Sequence, residues 1–335
     1  MKQGLSGLKM VFFPVATALA VSATLSSLGA APSGQPSSQT AVPVTYVNPL
    51  QVALLHWYPA NKTMSFPVGA EPQGVAFDGT DIWVANFDSS NVTELQASTG
   101  KVLGTFAVGT HPESVAFDGA NIWVSNYGSN NATKLRASDG TVLGTFAVGT
   151  NPWGVAFDGA NIWVSNIGSH NVTKLRASDG KLLGTFNVGT YPEGVAFDGT
   201  NIWVANFGSS NVTKLRASDG YALGTFSVGT NAHNVAFDGA NVWVTNWSSN
   251  NVTELQASTG TVLGTFNVGK NPQSLAFDGA NIWVSNAGSK SVTELQASTG
   301  TVLGTFTVGT VPTGVAFDGA NIWVANYGSN SVSKL

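Results

Sequence analysis

Apolar and polar positions alternate in short bursts along this chain, and Gly, Asp and Asn break each burst after a few residues. Residues 111–150 show the pattern. Ser114–Phe117 is a short apolar run, followed by Asp118-Gly119-Ala120-Asn121. Asp-Gly between two apolar runs signals a tight turn between strands. Ile122-Trp123-Val124 forms the second run, and Asn126–Asn130 reads as a polar loop. Ala132–Ala137 alternates polar and apolar, Ser138-Asp139-Gly140 turns the chain, and Val142–Val148 is the fourth run. A period of two with no helical period predicts four short β-strands joined by tight turns.

The same pattern recurs every 40 residues, seven times. Its Phe falls at Phe77 and every 40th residue to Phe317, and its Trp likewise from Trp83 to Trp323. A fixed period of this length marks a repeat architecture. One four-stranded meander cannot bury both faces. Copies stacked around an axis bury them against each other, which predicts an all-β, seven-bladed β-propeller of four-stranded antiparallel blades. The Trp of each second strand then fills the space between blades. A linear β-solenoid is the alternative, but it has shorter coils and capping segments, and neither pattern is present. The last repeat reaches Leu335 after three strands, and Thr63–Gly69 aligns with the fourth-strand segment Leu103–Gly109. An N-terminal strand is therefore expected to complete the last blade and close the ring, which removes exposed sheet edges. Val52–Leu55 aligns with the third strand Val92–Leu95, a position already held by Val332–Leu335. The 52–58 segment either packs outside as an extra strand or competes for that place.

Composition narrows the function. Charged residues make up 10% of the chain, Gly numbers 39, Cys is absent and the net charge is −4. The basic residues form no stripe, so nucleic acid is not an expected partner. Lys2 and Lys9 precede an apolar stretch from Met10 to Leu28 that ends in Gly29-Ala30-Ala31. This is the pattern of a signal peptide over 1–31. Pro32 disfavours a cut directly before it, so the cut lies elsewhere or the segment stays as an anchor, a reading that Pro14 weakens. Residues 32–50 read as a linker and 51–335 as the propeller. The expectation is a secreted, periplasmic or cell-surface monomer, without a membrane span once the signal is removed.

Ile-Trp-Val-Ser-Asn, Asn-x-Thr-Lys-Leu and Ser-Asp-Gly-Thr-Val-Leu-Gly-Thr-Phe-x-Val-Gly resemble the YVTN family of β-propeller repeats. The family's Tyr-Val-Thr-Asn corresponds here to stretches such as Trp123–Asn126. The Pro-x-Gly-Val-Ala start is also similar to NHL repeats and to the virginiamycin B lyase group. The resemblance covers about residues 63–335. It implies an exported bacterial or archaeal propeller. Such repeats serve enzymes, surface proteins and binding scaffolds alike.

Comparison among the repeats points to one end of the ring. The Asp-Gly and Ser-Thr/Asp-Gly turns hardly vary. Before the first strand and in the second-to-third loop, however, side chains differ from repeat to repeat. A constant frame with a variable rim suits a binding face. The expected binding residues are Trp153, Tyr191, Phe87, Tyr127, Phe207, Trp247 and Tyr327; the last five belong to a series that serves equally well to plug gaps between blades. Protein, peptide or carbohydrate ligands suit such aromatics. For catalysis, His111, Glu113, Glu193 and His233 are the candidates to meet at the channel mouth as acid, base or metal ligands. No cofactor or metal is expected of a binding scaffold, and Mg2+ enters only under the lyase-like alternative that the resemblance implies. A structural cell-surface module is the third reading. The repeated Asp78-type Asp reads as a turn former and the Asn86-type Asn as a loop closer. Six Asn-x-Thr triplets, from Asn61 to Asn251, and Asn246-Trp247-Ser248 match the glycosylation acceptor, which matters only in a eukaryotic host.

Overall fold

The computed structural model describes residues 63–335. The signal-like segment 1–31, the linker 32–50 and the strand-like segment 52–58 lie outside the described residues. The described chain is all-β apart from one 3-10 turn at Tyr327–Ser329. Strands are numbered in chain order. The first blade is β2 (Pro72–Phe77), β3 (Asp81–Asn86), β4 (Asn91–Gln96) and β5 (Val102–Ala107), paired in that order. Five further blades repeat this plan. The seventh is β26 (Pro312–Phe317), β27 (Ile322–Asn326) and β28 (Ser331–Lys334), completed by β1 (Met64–Pro67). β1 runs antiparallel to β28, with Phe66 opposite Val332. Each innermost strand packs on that of the next blade, and β26 packs on β2, so the ring is closed.

The Trp side chains do what their strand position requires. Trp83 is fully buried among Val115, Ile122, Val124 and Leu135 of the following blade. Phe106 from the outer strand stacks on it at 5.5 Å between centroids. At the closure, Trp323 packs with Ile82, Val84 and Leu95, and Phe66 of β1 takes the Phe106 role at 5.6 Å. Burying each such aromatic contributes about 2–3 kcal/mol.

Two polar devices hold every blade. Asp78 accepts the Thr80 and Asp81 backbone N–H groups on one oxygen and the Trp83 indole N–H on the other at 2.8 Å. The same turn recurs down to Asp318 and Trp323. One carboxylate therefore shapes the turn and satisfies the buried indole. In the second device, the Asn86 amide donates to Asn91 Oδ1 and Thr93 Oγ1, both at 2.8 Å. The Asn-x-Thr triplet is thus explained as an acceptor pair for a buried amide. A Cβ on Gly69 would come within 2.6 Å of Asn86, so this connector must be Gly. The amide pairing also lengthens the strands beyond the sequence expectation. Asn126 and Asn131 face each other in the ladder, leaving only residues 127–130 as loop.

Candidate functional site

Every innermost strand carries a register shift, in the first blade between Pro72 and Val75. Gly74 there lies against the next inner strand, where a Cβ would meet the Glu113 carbonyl oxygen at 2.7 Å. The irregularity brings the inner strands together and leaves the residue after each Pro-type position around the axis. Gln73, Glu113, Trp153, His233, Gln273 and Thr313 line a central cavity of about 180 Å³. The backbone of this ring is held from the neighbouring blade. Ser125 Oγ donates to the Trp153 carbonyl, Ser165 Oγ to that of Glu193, and Thr245 Oγ1 to that of Gln273 at 3.1 Å. Thr313 Oγ1 donates to the Pro72 carbonyl at 2.9 Å, spanning the closure of the ring.

Two of the four acid–base candidates, Glu113 and His233, line this cavity, and a third, Glu193, lies against His233. Glu113, Glu193 and His233 are all buried, and Glu193 Oε2 lies 3.5 Å from His233 Nε2. Burial pushes the Glu113 carboxyl well above its ordinary range, and burial together with the Glu113 charge does the same to Glu193. Burial also lowers the His233 pKa to about 4, with the Gln273 backbone working the other way. At neutral pH these shifts favour uncharged acids beside an uncharged imidazole. Glu193 Oε2, His233 Nδ1 and Gln273 Oε1 are buried without a hydrogen-bond partner. No Lys or Arg lines the cavity. His111 does not join the group. It is exposed, sits in the left-handed region at φ 53°, and stacks on Phe87 at 4.4 Å.

Phe87, Tyr127, Trp153, His233, Phe207 and Trp247 form one run of ring contacts. Phe87 approaches Tyr127 at 6.3 Å, Tyr127 meets Trp153 edge-on at 6.1 Å, and Trp153 meets His233 edge-on at 6.1 Å. His233 is also met edge-on by Phe207 at 6.1 Å and stacks on Trp247 at 5.5 Å. Tyr191 stands apart, 51% exposed and packed against His170. Tyr327 belongs to an acidic sector. Burial, a hydrogen bond with Glu71 and the charges of Glu71, Glu113 and Asp88 push its hydroxyl up to about 12. The half-buried rim aromatics therefore pack on one another, and Trp153 also lines the cavity.

Gln273 was visible in the sequence only as one variable position among many. Its register equivalence to Glu113 and His233 was the available signal, and its unpartnered oxygen needed coordinates. The Mg2+ that a lyase-like reading implies finds no matching donor set. Among the described residues, no three His, Cys, Asp or Glu side chains are placed to hold a metal ion.

No family profile and no curated protein sequence matches this chain. Solved structures do. A streptogramin B lyase superposes with a TM-score of 0.71 at 17% identity, covering 82% of this chain and 96% of that one. Kuenenia stuttgartiensis hydrazine synthase gives 0.71 at 20% identity over 88% and 99% of the two chains. Virginiamycin B lyase from Staphylococcus aureus gives 0.70 at 16% identity over 82% and 98%. At such identities the likeness concerns architecture alone. The chain is a seven-bladed β-propeller of the form seen in virginiamycin B lyase-like proteins.

Proposed function

We propose that this chain is an exported binding scaffold that holds a ligand at the central cavity and its aromatic collar. One observation carries the reading: His233 and Gln273, each with a buried polar atom that lacks a partner, line the cavity together with Trp153, and the rings of Trp153, Phe207 and Trp247 pack on His233. Buried polar groups without partners are costly, and a ligand that satisfies them gains accordingly. The collar contributes flat apolar area of the kind that grips peptides and sugars. The test is a screen of peptides and oligosaccharides against the wild type, Trp153→Ala, Trp247→Ala and the opposite-end control Lys181→Ala. Affinity should fall at least tenfold in the two Trp variants alone. Equal affinity in all four proteins would remove the collar from the site.

The Glu193–His233 pair supports a second reading, a lyase-type enzyme. An acid and an imidazole 3.5 Å apart beside a cavity can pass a proton to and from a bound substrate. Streptogramin B turnover by the wild type, lost in His233→Ala and kept in His111→Ala, would favour it. Absence of turnover in a protein that binds through its collar would favour the scaffold. A protein that does neither would leave the third reading, a structural surface module.

A further inference from the structure

The two ends of the ring carry their charges differently. At the end with the near-constant turns, charges are paired in place: Arg136 with Asp139, Arg176 with Asp179 and Arg216 with Asp219. At the variable end, the loop into each blade lies against the loop between its second and third strands. Phe87 N–H donates to the Glu71 carbonyl, and Gly288 N–H to the Lys270 carbonyl, both at 3.0 Å. Across all seven blades these loops hold only four Asp, Glu, Lys or Arg residues. Glu71 and Asp88 both belong to the first blade, Lys270 and Lys290 both to the sixth. Glu71 is half-buried and shares a hydrogen bond with Tyr327. Asp88, Lys270 and Lys290 are exposed, and none of the four makes an ion pair among the described residues. The seventh blade stands between these two sectors of the ring. Its loops at this end are uncharged, and its Val311 is apolar and exposed. Val311 holds a left-handed backbone at φ 51°, where three of its counterparts are Asn. Strain of this kind gathers at contact and switch sites.

We propose that the variable end docks on the same end of a second copy of this chain, about a two-fold axis that runs through the seventh blade in the plane of the face. This goes beyond the ligand reading and names a macromolecular partner. Charge complementarity selects both the partner and the axis. In a two-fold interface one patch serves both copies, so each contact occurs twice with the roles exchanged. Rotation about this axis exchanges the first blade with the sixth, the second with the fifth and the third with the fourth. Glu71 and Asp88 of each copy then face Lys270 and Lys290 of the other. The seventh blade meets itself, with Val311 against its counterpart. An axis through the first blade would set acids against acids, and one through the sixth would set lysines against lysines. No other two-fold axis in the face brings the acids to the lysines. Exposed ion pairs contribute little energy, but they fix orientation and exclude wrong pairings. Val311, the exposed Tyr191 on the fourth blade and the half-buried rings supply the apolar contact. The pairing sets two central cavities mouth to mouth, so a peptide or oligosaccharide reaches the collar only in the free monomer.

The experiment is sedimentation equilibrium of the full chain from micromolar to millimolar concentration, at low and at high salt. A monomer–dimer equilibrium is expected, at least tenfold weaker at high salt, where exposed charges are screened. Asp88→Lys and Lys290→Glu should each weaken the dimer at least tenfold, because each sets like charges face to face. Both substitutions in one chain should bring the affinity back, since the reversed charges oppose each other again across the axis. A merely structural role for either residue would not produce that rescue. The substituted side chains are exposed, and melting temperatures equal to that of the wild type show that the variants fold. A monomer at every concentration would overturn the proposal. So would a dimer that the single variants leave intact, or one that the double variant fails to restore. Lys290→Glu keeps the collar, and in the peptide and oligosaccharide screen it should bind at least as tightly as the wild type. Ligand binding by a wild type that never dimerises would overturn the pairing and leave the collar reading standing.

Discussion

Val311 adopts φ 51°, a left-handed conformation in which a β-branched side chain crowds its own backbone. Six equivalent positions before the inner strands share this geometry, and three of them are Asn: Asn151, Asn231 and Asn271. Asn tolerates this region, and the amides of these residues also donate to carbonyls such as that of Phe207, at 3.0 Å from Asn231. Val311→Asn should therefore stabilise the fold by about 1 kcal/mol and raise the melting temperature by about 2 °C. Calorimetry checks it, and an unchanged or lower midpoint would contradict the strain argument. The buried acids give a second expectation at this scale. Glu113→Gln removes the cost of ionising a carboxyl in an apolar setting, so its advantage over the wild type should grow from pH 5 to pH 8 in parallel melts.

Blades meet through a position that holds Lys in four blades and Glu in three. Lys134, Lys174, Lys214 and Lys334 each reach over the Trp of their own blade, at 5.0–5.3 Å from the ring. Each also donates to an Ala carbonyl one blade on, as Lys134 does to Ala177 at 2.6 Å. Glu94, Glu254 and Glu294 hold the same position in the other blades. Glu254 and Glu294 accept an amide hydrogen bond from Asn241 and Asn281, but Glu94 faces Asp81 instead. Burial, then Asp81, then Asp78 raise the Glu94 pKa to about 7. Glu94→Lys should relieve that repulsion, place an ammonium over Trp83 and bring it to the Ala137 carbonyl. A gain of about 1 kcal/mol in urea unfolding is expected. The partners at the adjoining turn also explain why residues vary together: Arg136 pairs with Asp139, and Thr99 donates to Gln96. These exposed contacts add little stability.

At the scale of the whole ring, closure depends on four residues from one end of the described chain. Phe66 of β1 supplies the aromatic that covers Trp323, and Phe66→Ala should cost about 2–4 kcal/mol. Chemical denaturation of that variant should show a loss far above that of an exposed substitution such as Leu143→Ala. The ring also has a defined acid–base profile. Glu94, Glu254, Glu294, Glu113 and Glu193 all have pKa values raised in the folded state. The folded protein then holds more protons than the unfolded chain above about pH 4.5, so stability falls as pH climbs from 4.5 through about 7, the value for Glu94. His233 alone works against this, gaining stability between about pH 4 and 6.5. The turn acids behave oppositely. Burial raises Asp158, but the Trp163 and Asn161 hydrogen bonds and two backbone N–H groups outweigh it and hold the carboxyl low. Asp198, Asp278 and Asp318 follow the same balance. Their contribution is complete above about pH 3.8 and is lost below it. Melting temperature should therefore peak in mildly acidic buffer, and a maximum above pH 7 would refute the ledger of buried carboxyls.

Blade number, strand order, the Trp between blades, the Asp turn and the closing strand were all legible in the residues from Thr63 to Leu335. Each is a local rule copied seven times, and repetition averages away the ambiguity of any single short strand. The Asn-x-Thr triplet was legible as a motif but not as a cause, because its partner Asn86 is joined to it by a strand pairing rather than by sequence adjacency. The mouth was harder still. Glu113, Glu193 and His233 come from three different blades, and their side-chain approach depends on the ring's curvature and the inner-strand irregularity. His111, only two residues from Glu113, turns to the rim instead because its backbone is left-handed. Pattern along the chain thus prescribes which strands exist and how they stack. Which side chains share a cavity, and what that does to their protons, follows from distances across the axis, and these exist only once the ring has closed.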